Sequence, residues 1–292
     1  MALHIQKILV PVVFPNTSLH VMHQAAWLAR RFQAEIVLLH VIEPFRDPGG
    51  ELESGHQISV RDLHAHLAES AQKDLQDALR PELDGISVTR LLLKGEPEEE
   101  IVRTARDQNV DLLMMSTHGH GPFYRFLLGS VTAKVLHEYD GPVWTGVHLE
   151  QPPMREFSVR QVLCSTDLSP HSLHTISLAA GLAAAVDATL TLVHVTAGVE
   201  TFGPGGTHID LAWQEAIVGY AARRIAQLQE DAGTKANVLI RSGRVTEQLN
   251  QAAQQTNADV LVIGHALGRS HLGDNGNGYG IIRASAIPVL SV

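Results

Sequence analysis

The chain has 292 residues, enough for two domains of ordinary size. Its composition, 45% hydrophobic and 18% charged, is that of a globular chain, and a net charge of −9 argues against nucleic acid or an anionic membrane as main partner. A lone cysteine, Cys164, excludes an internal disulfide and fits the reducing cytoplasm, while neither a signal peptide nor an apolar run of about 18 residues is present.

Taken in chain order, short apolar runs alternate with helical patterns. ILVPVV (8–13) reads as a first strand. SLHVMHQAAWLARRF (18–32) places Val21, Ala25, Leu28 and Phe32 at helical spacing. IVLLHVI (36–42) and VTRLLL (88–93) read as further strands. PEEEIVRTARDQ (97–108) opens with proline and acidic residues, a favourable helix start. LLMMS (112–116) is a strand that runs into a glycine- and histidine-rich loop, after which Gly129-Ser130 opens a helix and PVWTGV (142–147) closes the half. The apolar runs are continuous rather than alternating, as in strands buried on both faces of a parallel sheet. Strand–helix alternation of this kind implies an open α/β sheet, whose ligands bind beyond the carboxyl ends of the strands.

The second half repeats the first. KILVPVVFPNTS from Lys7 aligns with QVLCSTDLSPHS from Gln161, and at the same offset EIVLLHV (35–41) meets TLTLVHV (189–195). LLLKGEPEEEI (91–101), DLLMMS (111–116) and GPVWTGV (141–147) find partners in VLIRSGRVTEQL (238–249), DVLVIG (259–264) and IPVLSV (287–292). Five blocks in one order indicate duplication with a domain-sized period. LEQPPMREFS (149–158), with two prolines, reads as the linker, which gives domains at 1–150 and 151–292.

Gly119 after the strand and Gly129-Ser130 at the next helix start could form a phosphate cradle. Glycine allows close backbone approach, and a helix N-terminus favours negative charge. Ser130 could cap the helix or donate its hydroxyl to a phosphate. The alternative is a tight turn with an ordinary cap. His118 and His120 flank Gly119, either facing the phosphates or bonding within their loop. No GK[ST] and no GxGxxG occurs.

These motifs resemble a tandem universal stress protein, a family of ATP-binding, Rossmann-like domains related to adenine nucleotide alpha hydrolases. The family motif is glycine, two residues, glycine, nine residues, then Gly-Ser or Gly-Thr; Ser116, Gly119 and Gly129-Ser130 match it with serine for the first glycine. The resemblance implies five parallel strands in each domain. It also implies ATP, with Mg²⁺ or Mn²⁺, in the first half. Pro11, Val12, Val13 and Val41 would line the adenine pocket; Ser116, His118, Gly119, Gly129, Ser130 and the N–H of Val131 would face the phosphates. Val13 stands where the family usually has aspartate. The second half keeps that aspartate as Asp167 and has Gly264, but Leu267 and Asn275-Gly276 replace the later glycines and the Gly-Ser pair. Its phosphate loop is degenerate.

The function so implied is that of an ATP-binding stress-response sensor or regulator with unidentified protein partners and little catalysis, at most slow ATP hydrolysis. A nucleotide-independent interaction module and a nucleotide-hydrolysing enzyme are the alternatives; no HxGH or SGGxDS loop is present. The histidines do not combine with cysteine or carboxylate at metal-ligand spacing. Each half ends in an apolar strand that needs cover. Antiparallel pairing of the two, with Val143, Trp144 and Val147 near Val289, Leu290 and Val292, would make an intramolecular pseudo-dimer and leaves a homodimer of chains open.

Overall fold

The computed structural model describes residues 3–14, 19–44, 60–117, 128–146, 157–196, 201–203, 206–208, 211–264 and 277–292. Apart from short pieces, the chain packs as two compact units, one ending at Gly141 and the other beginning at Pro142.

In the first unit the elements are β1 (Lys7–Pro11), α1 (Leu19–Phe32), β2 (Glu35–Ile42), α2 (Val60–Asp77), β3 (Val88–Lys94), α3 (Pro97–Asp107), β4 (Leu112–Ser116) and α4 (Ser130–Glu138). The strands are parallel neighbours in the order β4-β1-β2-β3. Their apolar runs are buried because helices need both faces of the sheet; Ile8, Leu9, Leu38, Leu39, Leu113 and Met114 are almost fully enclosed. The chain switches direction across the sheet between β1, flanked by β2 and β4, and this leaves a crevice at the carboxyl ends of β1 and β4.

The second unit holds β5 (Val143–Gly146), β6 (Gln161–Ser165), α5 (Ser172–Ala185), β7 (Thr189–Thr196), the hairpin β8 (Thr201–Gly203) and β9 (Gly206–His208), α6 (Leu211–Ala232), β10 (Asn237–Ser242), α7 (Val245–Thr256), β11 (Val260–Ile263), α8 (Asn277–Ala284) and β12 (Val289–Ser291). Its sheet order is β10-β7-β6-β11-β12-β5, parallel except for β5. The antiparallel pairing expected of the two closing strands is present: Val289, Leu290 and Ser291 face Thr145, Trp144 and Val143. Thus β5, which closes the first half in sequence, packs in the second unit. Val147 and most of the linker lie outside the described residues.

Two contacts recur at equivalent places and tie the repeat to its physics. Asp111 Oδ2 accepts the N–H groups of Gln6 and Lys7 at 2.8 and 2.9 Å, and Asp259 Oδ2 accepts those of Arg160 and Gln161 at 2.7 and 2.9 Å. Each carboxylate fastens the start of one strand to the start of its neighbour. At the other end, the Nδ1 of His40 lies 2.8 Å from the Val12 carbonyl, and that of His194 lies 2.8 Å from the Thr166 carbonyl. The two histidines therefore serve as strand-end pins, with Nδ1 carrying the proton.

Candidate functional site

A cavity of about 550 Å³ opens at the carboxyl ends of β1, β2 and β4 in the first unit. Its size lies within the range of small-molecule sites, roughly 300–1,000 Å³. Pro11, Val12, Val13, Val41, Ser116, Gly129, Ser130 and Val131 all line it. Eight residues named from separate sequence blocks therefore meet in one space. His118 and Gly119 lie outside the described residues.

The apolar end is built by the β1 terminus. Val12 is fixed from both sides, its N–H donating to the Leu39 carbonyl at 2.8 Å and its carbonyl held by His40. Phe14 covers the His40 ring at a centroid distance of 5.2 Å. With Met115 and Ile101 behind it, this end offers a flat aromatic group an apolar slot. Val13 is 64% exposed and has no polar side-chain atom to offer a ligand.

The polar end is the start of α4. Gly129 is the helix N-cap and carries no side-chain cap bond, so Ser130 is the first helical residue and not the cap considered from sequence. Its hydroxyl and the first-turn N–H groups are left for a ligand, since the first four helical N–H groups have no acceptor within the helix. Two bonds anchor this turn to the end of β4: Gly129 N–H to the Thr117 carbonyl at 3.0 Å, and Thr132 Oγ1 to the Ser116 carbonyl at 3.0 Å. Ser116 itself is ordinary strand backbone, so the position needs no glycine conformation. The nearby cation, Lys134, pairs with Glu98 of α3. That hydrogen bond holds the Glu98 carboxyl below the usual carboxylate range and the Lys134 ammonium above its ordinary value. Lys134 thereby joins two helices and leaves the helix N-terminus as the anion-attracting group.

Sequence reading did not place α2, whose Ser70, Ala71 and Asp74 form one wall of the cavity. Ala71 and Leu75, four apart and both buried, were the available signal. Glu43, Pro97 and Thr132 are further wall residues absent from the sequence list.

In the second unit, Ser165, Asp167, Ser169, His171, Ser172, Thr175 and Gly264 pack around a space of about 10 Å³ between the end of β6 and the start of α5. Asp167 Oδ1 accepts the Ser172 hydroxyl at 2.6 Å and the Ser169 N–H at 3.0 Å. Partial burial pushes the Asp167 carboxyl up, but the bonds from Ser172 and Ser169 outweigh it and hold the group below its ordinary value. Space at Gly264 is tight: a Cβ there would come 2.9 Å from Thr175 Oγ1, which would have to shift. Leu267, Asp274 and Asn275-Gly276 lie outside the described residues.

The sequence model of the universal stress protein family matches twice, at residues 4–145 and 158–292. The chain belongs to the universal stress protein family. Among its relatives, the universal stress protein MJ0577 of Methanocaldococcus jannaschii is 31% identical over 156 residues, which cover 49% of this chain and 95% of the relative. A universal stress protein of Mycolicibacterium smegmatis is 30% identical over 196 residues, covering 65% of this chain and 63% of the relative. Among solved structures, a universal stress protein from Archaeoglobus fulgidus superposes with a TM-score of 0.67 at 21% identity, covering 99% of this chain and 97% of the other. That likeness establishes the tandem α/β fold. Among the described residues, no helix is long and apolar enough to cross a membrane.

Proposed function

We propose that this universal stress protein is a cytoplasmic nucleotide-responsive regulator that binds one ATP per chain, in the cavity of the first half. The observation that carries this reading is the convergence on one cavity of an apolar slot at Val12, Val41 and Met115 and an uncapped helix start at Gly129-Ser130. An adenine suits the first and a phosphate the second. Mg²⁺ or Mn²⁺ accompanies the phosphates as part of the ligand. The residues present fit the nucleotide: the space suffices, and the first-turn N–H groups of α4 face an anion with no competing cap. In this reading the second half, where Ser172 and Ser169 engage the Asp167 carboxylate, keeps the fold without the ligand.

The bound nucleotide acts as a conformational signal read by protein partners. Any ATP turnover is slow in this reading, because phosphoryl transfer depends on positioning and charge stabilisation and the described cavity wall carries no lysine or arginine. A nucleotide-independent interaction module is the second reading, favoured by the apolar, exposed Val13. Denaturing freshly purified protein and analysing the supernatant by chromatography separates the two. Adenine nucleotide near one equivalent supports the regulator; its absence, together with no binding of added ATP, refutes it.

A further inference from the structure

We infer that Asp74 reads the sugar of the bound nucleotide, supplying from α2 the polar contact that Val13 cannot make. This rests on the nucleotide reading above. The described wall of the cavity contains two carboxylates, Glu43 and Asp74, and no lysine or arginine. Among the described residues the Asp74 carboxylate has neither a hydrogen-bond nor an ion-pair partner. An ionised carboxylate only accepts hydrogen bonds, so it calls for a donor on the ligand. A nucleotide carries donors on its sugar hydroxyls and on the amino group of its base, while its phosphates would repel the carboxylate.

Position favours Asp74 over Glu43. Asp74 sits on a helix held to the core by Ala71 and Leu75, and it shares the face of Ser70 and Ala71 at four- and three-residue spacing. Glu43 follows the last residue of β2 and precedes a proline. A group that must select one ligand atom works best on a rigid element.

The second half supplies the contrast. Buried Ala221 and Ile225 of α6 correspond to Ala71 and Leu75 of α2, which puts Arg224 at the place of Asp74. Arg224 Nε reaches across to the Leu168 carbonyl at 3.5 Å, on the loop that carries Asp167. In the first half the loop residue is Val13 and the helix residue is a carboxylate. In the second half the loop residue is a carboxylate, engaged with Ser172, and the helix residue is an arginine that crosses to the loop. The acidic group has changed sides: Asp167 is engaged within its own half, whereas Asp74 lines the cavity of about 550 Å³.

The test is calorimetric titration of the full-length protein with ATP, 2′-deoxy-ATP, 3′-deoxy-ATP and ITP. The parent should prefer ATP over at least one deoxy analogue by about 10-fold, the scale of one hydrogen bond to a charged group. Asp74→Ala should lose that preference by weakening ATP while leaving the disfavoured analogue unchanged, and Glu43→Gln should keep it. Asp74 is exposed, and circular dichroism will verify that the variant is folded. Equal weakening of every nucleotide in Asp74→Ala, or a preference that persists in it, would overturn the assignment. So would discrimination by the parent against ITP alone, which would place the contact on the base. Failure of the parent to bind any of the four would overturn the nucleotide reading itself and the role of Asp74 with it.

Discussion

Trp144 lies opposite Leu290 in the antiparallel pair of β5 and β12, and both are buried. The indole is 1% exposed and meets the Phe157 ring edge-on at 6.3 Å. Beside it, Thr145 Oγ1 donates to the Val289 carbonyl at 3.2 Å, so a polar atom in this dry seam is satisfied. The last strand of the first half is therefore a core strand of the second unit. We predict that Trp144→Ala lowers stability by about 3–5 kcal/mol, the usual cost of emptying a large aromatic site. Denaturant unfolding checks this. A loss below about 1 kcal/mol would mean that β5 is only loosely held.

A charge at the facing position should act on the same seam. Val289→Lys puts an ammonium where a 1% exposed valine stands. Limited proteolysis should then cut between Gly146 and Phe157 faster than in the parent. Equal cleavage rates would show that the pairing does not protect that stretch.

Asp167 gives a pH-dependent prediction. Despite the upward push of partial burial, its bonds from Ser172 and Ser169 hold its folded-state value below the unfolded one. The stabilisation is therefore complete above the unfolded carboxyl range near pH 4 and fades as pH falls through the lower, folded-state value. Asp167→Ala also leaves the buried Ser172 hydroxyl without its acceptor, a cost of about 1 kcal/mol. The difference in Tm between parent and variant should be present at pH 7 and shrink as the pH falls below the unfolded carboxyl range near pH 4. A difference that grows in acid would reverse the sign assigned to this group.

Cys164 should be chemically silent in the folded protein. Burial pushes its thiol up to about 12, and the thiolate is the reactive form. A thiol reagent at pH 8 should label it only after unfolding. Rapid labelling of native protein would show that β6 opens.

Much of this architecture was legible before any coordinates, for physical reasons. Continuous apolar runs must be buried on both faces, so β1, β2, β4 and β7 declared themselves. Proline with three acidic residues marked the start of α3. The repeat placed β12 opposite β5 because both close their halves. What stayed hidden depends on distance in space rather than in sequence. Asp74 became a site residue only when α2 was packed on β2 and β3, beside the cavity at the strand ends. The role of Ser130 changed because Gly129 occupies the cap, one residue earlier than hydroxyl chemistry suggested. Asp167, the better match to the family pattern, turned out to bond within its own loop. Gly264 looked like half of a phosphate motif, and the structure adds a packing reason for it, since a Cβ there would come 2.9 Å from Thr175 Oγ1.

The central claim is that one nucleotide binds, and that it binds in the first half. Calorimetry of ATP with Mg²⁺ on the full-length chain tests it most directly, using the parent, Gly129→Val and Asp167→Ala. The valine adds a branched side chain at the cavity wall beside the α4 start, whereas the alanine alters only the second half. The account predicts one site per chain in the parent, retained in Asp167→Ala and lost in Gly129→Val. Two sites per chain, no site in the parent, or a site that survives Gly129→Val and disappears with Asp167→Ala would contradict it.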